Sequence, residues 1–368
     1  MNFFNREQPN VNEILNNNLF KVIDLCEEKD NKNVIISGLS IKIALTMLLN
    51  GATGDSEKEL TAFLGQKRDK LNQDSQNALN ECGENLKLAN AFWFTVPNKA
   101  NPNYAQIIKE FQDAEINVDN FSDPKTVEKI NGWISEKTNG LIKDVLKQLD
   151  DVTSLLINTL YFKAQWSKPM SENLTHDDLF HGLDGDTTIK MMKADSKGYY
   201  ENSVAKGFSL RYENSPYEFI AILPNNEGDF KISDLDLNHF NEVSGNYEVD
   251  ADFPKLDIDF NIDLKDILQS VGLLAPFDSN HCFDFASMLD IPQYVSKVIH
   301  KTKFKLDEKG TEAAAATVVV MGRGVAVNIV EPTRIKLTFN RPFAFMIRHR
   351  LTKDLLFIGK IDNLKGQE

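Results

Sequence analysis

A nine-residue, largely apolar run constrains the fold of this chain more than any other stretch. The run is SLLINTLYF, residues 154–162. It is too short and too continuously apolar for a surface helix, which predicts a strand in the interior of a β-sheet. Further strand-like runs follow it, namely FSLRY, YEFIAIL, YEVDADFPKL, RIKLTF, PFAFMIRH and LLFIGKI. The second half of the chain is therefore predicted to be mostly β, with LTKD joining the last two runs as a hairpin.

The first half has the periodicity of helices. Apolar residues between positions 11 and 26 recur at steps of three and four, as in an amphipathic helix. The run NVII, residues 33–36, predicts a short buried strand. Ser40 is the predicted N-cap of the helix that follows, and Gly51 its predicted end.

A longer helix is predicted from Asp123 to Leu149, interrupted at Asn139-Gly140 and resumed by LIKDVL. No internal repeat, low-complexity linker or change of composition divides the chain. Together with the strand-rich second half, these elements predict one α+β domain over residues 1–368.

Composition excludes several classes of function. The 368 residues are 42% hydrophobic and 26% charged, as expected of a globular protein, and the net charge is −13 without a long basic run. We therefore expect no nucleic-acid partner. No run approaches eighteen apolar residues and the N-terminus does not resemble a secretory signal, so we expect no membrane span and a cytoplasmic location. Cys26, Cys82 and Cys282 are far apart and lack metal-like spacing, which fits a reducing compartment.

No pattern in the chain predicts catalysis. The sequence has no GxSxG, P-loop or GxGxxG motif. None of its histidines has the spacing of a metal site; they are His176, His181, His239, His281, His300 and His349. We therefore expect no enzyme activity, no metal and no cofactor, although a site built from distant residues would leave no motif.

One segment fits neither a plain helix nor a plain loop. Residues 308–324 contain GTEAAAATVVVMGRG and almost no large side chains. Alanine favours a helix, but Gly310, Gly322 and the valines at 318–320 weaken that interpretation. As a strand, the segment would place only compact side chains on one face, namely Thr311, Ala313, Ala315, Thr317 and Val319. The segment is thus compatible with two states, an exposed loop and a strand in the middle of a sheet.

The same segment carries a resemblance to a known family. DEKGTEAAAAT, residues 307–317, is similar to the hinge that opens the reactive-centre loop of inhibitory serpins. Other segments resemble serpin motifs along almost the whole chain: NVIISGLSI (33–41), LINTLYFKAQW (156–166), VSKVIHKTKFKLDEKG (295–310) and RPFAFMIRH (341–349).

The resemblance implies an architecture and a set of structural residues. It implies the α+β serpin fold, with about nine helices around three β-sheets and an exposed reactive-centre loop at about residues 308–332. The implied hinge consists of Gly310, Thr311, Glu312, Ala313, Ala314, Ala315, Ala316 and Thr317. A polar cluster under the opening of the main sheet, the shutter, would contain Ser37, Ser40, Asn158 and His300. Trp166 would lie at the breach, where the loop enters the sheet.

The resemblance also implies an activity. Inhibitory serpins are suicide substrates of peptidases, which implies a monomer whose partner is a serine peptidase of the trypsin-like or chymotrypsin-like kind, or a papain-like cysteine peptidase. Arg323-Gly324 is the expected scissile bond, because a trypsin-like pocket holds an acid that pairs with a guanidinium. The usual tally of seventeen residues from Glu308 ends on Gly324 instead of Arg323, so Met321 and Val325 remain alternatives.

Two features of the chain depart from the family pattern. Gly38 stands where serpins usually have proline, and the stretch from Arg323 to Pro342 is several residues longer than usual. A non-inhibitory serpin that acts as a chaperone, carrier or storage protein is the main alternative, but such members tend to carry bulky or charged hinge residues. Leaderless secretion is the alternative to a cytoplasmic location.

Overall fold

Helices dominate the first third of the chain and strands the remainder, as predicted. The computed structural model describes residues 12–30, 33–311 and 331–366. In those ranges the α-helices are α1 (Glu13–Asp30), α2 (Gly38–Gly51), α3 (Gly54–Leu64), α4 (Arg68–Cys82), α5 (Pro102–Gln112), α6 (Lys125–Lys137) and α7 (Lys265–Ser270). Short 3-10 helices span Gly83–Asn85, Glu172–Leu174, Ile232–Leu235, Leu237–His239, Ala275–Phe277 and Ser279–Phe285. None of the helices within the described ranges is both long and apolar enough to cross a membrane.

The strands in the same ranges form three β-sheets. They are β1 (Val34–Ile36), β2 (Leu86–Thr95), β3 (Glu115–Asp119), β4 (Ser154–Phe162), β5 (Ala164–Gln165), β6 (His176–Gly182), β7 (Gly185–Ser196), β8 (Gly198–Glu201), β9 (Ala205–Arg211), β10 (Tyr217–Pro224), β11 (Tyr247–Pro254), β12 (Leu256–Asp263), β13 (Lys297–Asp307), β14 (Gly310–Thr311), β15 (Thr333–Thr338), β16 (Phe343–His349) and β17 (Leu355–Ile361). A six-stranded sheet has the order β1-β17-β16-β10-β9-β8, and a four-stranded sheet the order β15-β11-β7-β6. The main, seven-stranded sheet has the order β3-β2-β4-β13-β14-β5, with β12 on the other side of β13. The α+β class with three sheets is therefore confirmed.

The apolar run at 154–162 forms β4, and all nine of its residues are buried. β4 pairs with β2 on one side and β13 on the other, so the prediction of an interior strand is confirmed. The predicted hairpin is also present, since β16 and β17 pair antiparallel. The inner face of the main sheet packs on the six-stranded sheet, where Phe304 of β13 stacks on Phe345 of β16 with 4.7 Å between ring centroids.

The cap of α2 differs from the sequence prediction. Ser37, not Ser40, is the N-cap, because its extended backbone precedes the first helical residue and its hydroxyl accepts a hydrogen bond from the Ser40 N–H at 3.1 Å. Ser40 lies in the first turn. A β-carbon on Gly38 would lie 2.7 Å from the Leu355 carbonyl oxygen, so glycine suits this close approach of two backbones.

The helix predicted over 123–149 ends early, at Lys137. Asn139 and Gly140 both have positive φ, which turns the chain back instead of continuing the helix. Asn131 Oδ1 accepts hydrogen bonds from the backbone N–H groups of Val145 and Leu146. These bonds hold residues 141–149 in an irregular conformation. α6 and residues 141–149 pack on the outer face of the main sheet over β4 and β13.

Candidate functional site

The chain reverses direction at the end of β13 and re-enters the main sheet. After a turn at Glu308 and Lys309, β14 runs antiparallel between β13 and β5. Thr311 is the partner of Leu306 on one side and of Ala164 on the other. The first two residues of the predicted hinge, Gly310 and Thr311, are therefore already a strand of this sheet; we call residues 308–311 and their contacts the hinge site.

Both strand residues of the hinge site have little space. A β-carbon on Gly310 would lie 2.2 Å from the Ala164 carbonyl oxygen. Thr311 is fully buried, and its Oγ1 lies 2.7 Å from the hydroxyl oxygen of Tyr212. Burial raises the pKa of Tyr212, so this hydroxyl stays neutral and can donate or accept. Position 310 therefore has no room for a side chain, and position 311 accepts only a small, uncharged one.

Trp166 fixes the turn that precedes β14. Its indole N–H donates to the Asp307 carbonyl at 3.0 Å, and its backbone N–H donates to the Lys309 carbonyl at 2.9 Å. The ring is almost completely buried and stacks on Tyr212, with 4.6 Å between centroids. Trp166, the residue directly after β5, thus contacts the hinge site, whereas the contact of Tyr212 was not predicted.

A partly buried ion pair anchors the other side of the turn. Glu308 accepts a hydrogen bond from Lys255 Nζ at 2.8 Å and another from the Thr175 hydroxyl. Burial alone would raise the pKa of Glu308. These two hydrogen bonds, a backbone hydrogen bond and the charge of Lys255 together outweigh burial and lower the pKa below its usual value. The carboxylate is therefore ionised at neutral pH. Neither Lys255 nor Thr175 carries a sequence signal for this role.

Below the hinge site, β4 and β13 lie side by side as parallel neighbours. Their register pairs run from Leu155–Lys297 to Tyr161–Lys303, and we call this interface the seam. Above Tyr161 and Lys303 the two strands separate, and β14 occupies the space between β13 and β5. The seam therefore has an open end, beyond the pair Tyr161–Lys303, where β14 already lies between the two separated strands.

Two of the shutter residues lie in the middle of the seam, and the other two lie at the start of α2. His300 and Asn158 are register partners across it. His300 Nε2 accepts the Ser37 backbone N–H at 3.1 Å, and the Ser37 hydroxyl donates to the Leu356 carbonyl at 2.7 Å. Burial lowers the pKa of His300 to about 3, so the ring is neutral. Because Nε2 accepts a hydrogen bond, the single proton of the ring is on Nδ1.

The orientation of Asn158 follows from its neighbours. Asn90 Nδ2 donates to the Gln112 backbone carbonyl at 3.1 Å, so Asn90 Oδ1 faces Asn158 and accepts from its Nδ2 at 2.5 Å. Asn158 Oδ1, an acceptor, and His300 Nδ1–H, a donor, have no hydrogen-bond partner among the described residues. Both residues line the same cavity of about 10 Å³. A hydroxyl group could satisfy both atoms, since it donates and accepts.

The structure brings together part of the predicted site. Ser37, Ser40 and His300 form one buried cluster, and Asn158 lies across the seam from it, hydrogen-bonded to Asn90. The remaining predicted hinge and scissile residues lie outside the described ranges: Glu312, Ala313, Ala314, Ala315, Ala316, Thr317, Met321, Arg323, Gly324 and Val325. Asn90 was missed, although a single amide within the apolar run LANAFWF was a usable signal.

Comparisons of sequence and of structure with known proteins point to the same family. A family model described as Serpin (serine protease inhibitor) matches residues 13–364. Serpin B8 of Homo sapiens is 29% identical over 369 residues, which cover 94% of this chain and 96% of that protein. A serine protease inhibitor of Cyanea capillata is 31% identical, with 90% and 92% covered. The crystal structure of the thermophilic serpin tengpin in its native state superposes with a TM-score of 0.81 at 29% identity, covering 95% of this chain and 94% of that one.

Proposed function

The chain belongs to the serpin family, and from that premise we propose that it inhibits peptidases as a suicide substrate. The family is described as one of serine protease inhibitors, which supports inhibition and not catalysis. In the proposed reaction the nucleophile of the peptidase attacks the scissile carbonyl, an acyl-enzyme forms, and the new amino terminus leaves. The freed arm, which we take as residues 312–323, then inserts into the seam before water can hydrolyse the ester. The observation that carries the proposal is β14, a strand already begun at the open end of the seam.

β14 also sets the register that an inserted arm would take. Thr311 has one partner in β13 and one in β5, so each later residue would step back one position along both flanking strands. Six residues after Thr311, the count along β13 reaches His300 and the count along the other flank reaches Asn158. These two residues are register partners in the seam, so Thr317 would lie between them. The Thr317 hydroxyl could then accept from His300 Nδ1–H and donate to Asn158 Oδ1. Insertion would thus supply the partner that these two buried atoms need.

The same register predicts the faces of the arm. Glu312 would point outward between Lys305 and Lys163, where opposite charges favour it. The outward-facing Val318 would come between Ile299 and Ile157, in the apolar layer under α6. Charge and polarity of the arm therefore match the strands that would receive it.

The length of the seam bears on the scissile bond. The last pair of the seam, Leu155–Lys297, would lie beside Val320. A cut at Arg323-Gly324 would leave an arm that fills the seam, whereas a cut within 318–320 would leave its lower end open. This supports a scissile bond at or after Met321, and the charge of Arg323 favours Arg323-Gly324.

Insertion would release free energy, because one ladder is exchanged for two. The arm would replace the single ladder of the seam with one ladder on each of its sides. The net gain is about ten backbone hydrogen bonds at about 1 kcal/mol each, on the order of 10 kcal/mol. Such a gain makes trapping effectively irreversible.

Incubation with active peptidases tests the proposal. We expect a covalent adduct on denaturing electrophoresis with a trypsin-like peptidase, and none with the same peptidase after its nucleophile has been blocked. The released fragment, identified by mass spectrometry, should begin at Gly324. A fragment that begins at another residue would rule out this scissile bond. Absence of an adduct with trypsin-like, chymotrypsin-like and papain-like peptidases would favour the carrier or storage alternative.

The remaining parts of the proposal concern the state of the protein. We propose that residues 1–368 act as one domain, because the chain after β14 of the main sheet continues to β15 of the four-stranded sheet. We also propose that the protein is a monomer, as the family resemblance implies. All three cysteines are free, which supports a reducing, cytoplasmic location. Sedimentation of the purified protein and fractionation of its source cells test these two statements.

A further inference from the structure

Five buried side-chain amides connect the seam to the helices behind the main sheet. We call them the amide relay: Asn158 of β4, Asn90 of β2, Gln112 at the end of α5, Asn72 of α4 and Asn50 of α2. None of the five is more than 9% exposed. Asn50 and Asn72 exchange two hydrogen bonds, at 2.8 and 2.9 Å. The relay therefore forms a continuous polar path through an otherwise apolar region.

Gln112 is the joint between the sheet and the helices. Its backbone belongs to the sheet side, because its carbonyl accepts from Asn90 and only two residues separate α5 from β3. Its side chain binds the helices: Nε2 donates to Asn72 Oδ1 at 2.8 Å and Oε1 accepts from Asn50 Nδ2 at 3.2 Å. The β4 side of the seam is thus tied to α2 and α4 through one side chain.

The β13 side of the seam is tied to the same helix at its other end. The Ser37 N–H, at the cap of α2, donates to His300, and the Thr302 hydroxyl donates to the Ile35 carbonyl just before it. Insertion of a strand must move β4 and β13 apart by about 4.8 Å. Because α2 is tied to both flanks, one tie has to lengthen. Each bond of the β13 tie joins a side chain to a backbone atom. The bonds from Gln112 to Asn72 and Asn50 join side chains only, so they can yield without movement of the helix backbone.

We propose that Gln112 is a positioning residue that holds the seam closed, and that its hydrogen bonds to Asn72 and Asn50 set how readily β4 and β13 separate. A weaker joint would let the seam open more often in the uncleaved protein. If the joint is weakened, we expect the arm to insert faster after cleavage, and also to insert faster spontaneously in the uncleaved protein. This effect on trapping rests on the proposed inhibitory function.

Hydrogen exchange of the intact, uncleaved protein tests the proposal directly. Gln112→Met keeps the size of the side chain and the backbone bond to Asn90, and leaves Asn50 and Asn72 paired with each other. We expect backbone amides of residues 155–161 and 297–303 to exchange about tenfold faster than in the wild type, as for the loss of one or two hydrogen bonds. Gln66→Met is the matched control, because Gln66 is 8% exposed and donates to Asn12 away from the sheet. Equal exchange of the seam in the two variants would overturn the proposal.

A second variant covers the case in which Gln112→Met does not fold. Asn72→Leu removes the acceptor of the same joint, and we expect a similar increase in exchange at the seam. In the double variant the two effects should not multiply, because both remove one joint; a full product of the two would contradict the relay. This experiment needs no peptidase, so its failure is distinguishable from a failure to form an adduct.

Discussion

At the scale of single residues, the hinge site is defined by what fits beside Ala164 and Tyr212. Gly310 has no room for a β-carbon, and Thr311 is fully buried with its hydroxyl on Tyr212. Thr311 is therefore the position where one substitution should separate cleavage from trapping.

We expect Thr311→Arg to turn the protein from an inhibitor into a substrate. A guanidinium at this position would have to be buried without a partner, at a cost of several kcal/mol. The covalent adduct should fall at least about tenfold while the arm is still cleaved, as measured on denaturing gels. Thr311→Ser, which keeps the hydroxyl, should trap as the wild type does. Full inhibitory stoichiometry in Thr311→Arg would refute this prediction.

A second residue-scale prediction concerns a partly buried cluster of charges. Lys360 Nζ lies among Glu27, Asp229 and Asp362, and Asp362 Oδ1 has no hydrogen-bond partner among the described residues. Burial raises the pKa of Asp362 from 3.8 to about 7. The stability that this group contributes is complete below about pH 3.8 and is lost as the pH rises through about 7.

Asp362→Asn should therefore stabilise the protein above pH 7, by about 1–3 kcal/mol in urea unfolding, and the gain should shrink toward pH 4. Asp229→Asn is the control with the opposite sign. Burial tends to raise the pKa of Asp229. The hydrogen bond and the charge of Lys360, together with a backbone hydrogen bond from Phe230 and the charge of Lys231, outweigh burial and lower the pKa, so loss of the Asp229 charge should not stabilise the protein. A gain for Asp362→Asn that is independent of pH would contradict this explanation.

At the scale of elements, the periodicity of apolar residues predicted the helices and strands that the local sequence determines. β4 has the predicted bounds because a short, apolar run is stable only inside a sheet. Residues 141–149 were predicted as helix from their apolar spacing, but tertiary contacts with β4 and Asn131 hold them irregular. Tyr212 and Lys255 could not be assigned to the hinge site, because their roles depend on which distant strands meet. The register of β14 likewise could be read only from the sheet.

That register makes a prediction about alternate faces of the arm. Position 313 would face inward between Phe304 and Phe162, and position 314 outward beside Lys303. We expect Ala313→Glu to abolish the covalent adduct, because it would bury a carboxylate against two rings. Ala314→Glu should retain most of the adduct. Equal behaviour of the two variants on denaturing gels would reject the register.

At the scale of the whole molecule, the fold holds two possible arrangements of one main sheet. In the closed arrangement β4 and β13 pair directly, and Asn158 Oδ1 and His300 Nδ1–H have no hydrogen-bond partner among the described residues. β14 and its continuation would open the seam and satisfy both. The central claim is therefore that the uncleaved protein is less stable than the same chain after cleavage and insertion.

Thermal unfolding before and after cleavage of the arm tests this claim most directly. The arm is cut by limited proteolysis, the nicked protein is purified, and both forms are compared by calorimetry. We predict that Tm rises by roughly 10 °C or more, as expected for about 10 kcal/mol in a chain of this size. An unchanged or lower Tm in the cleaved protein would contradict the account.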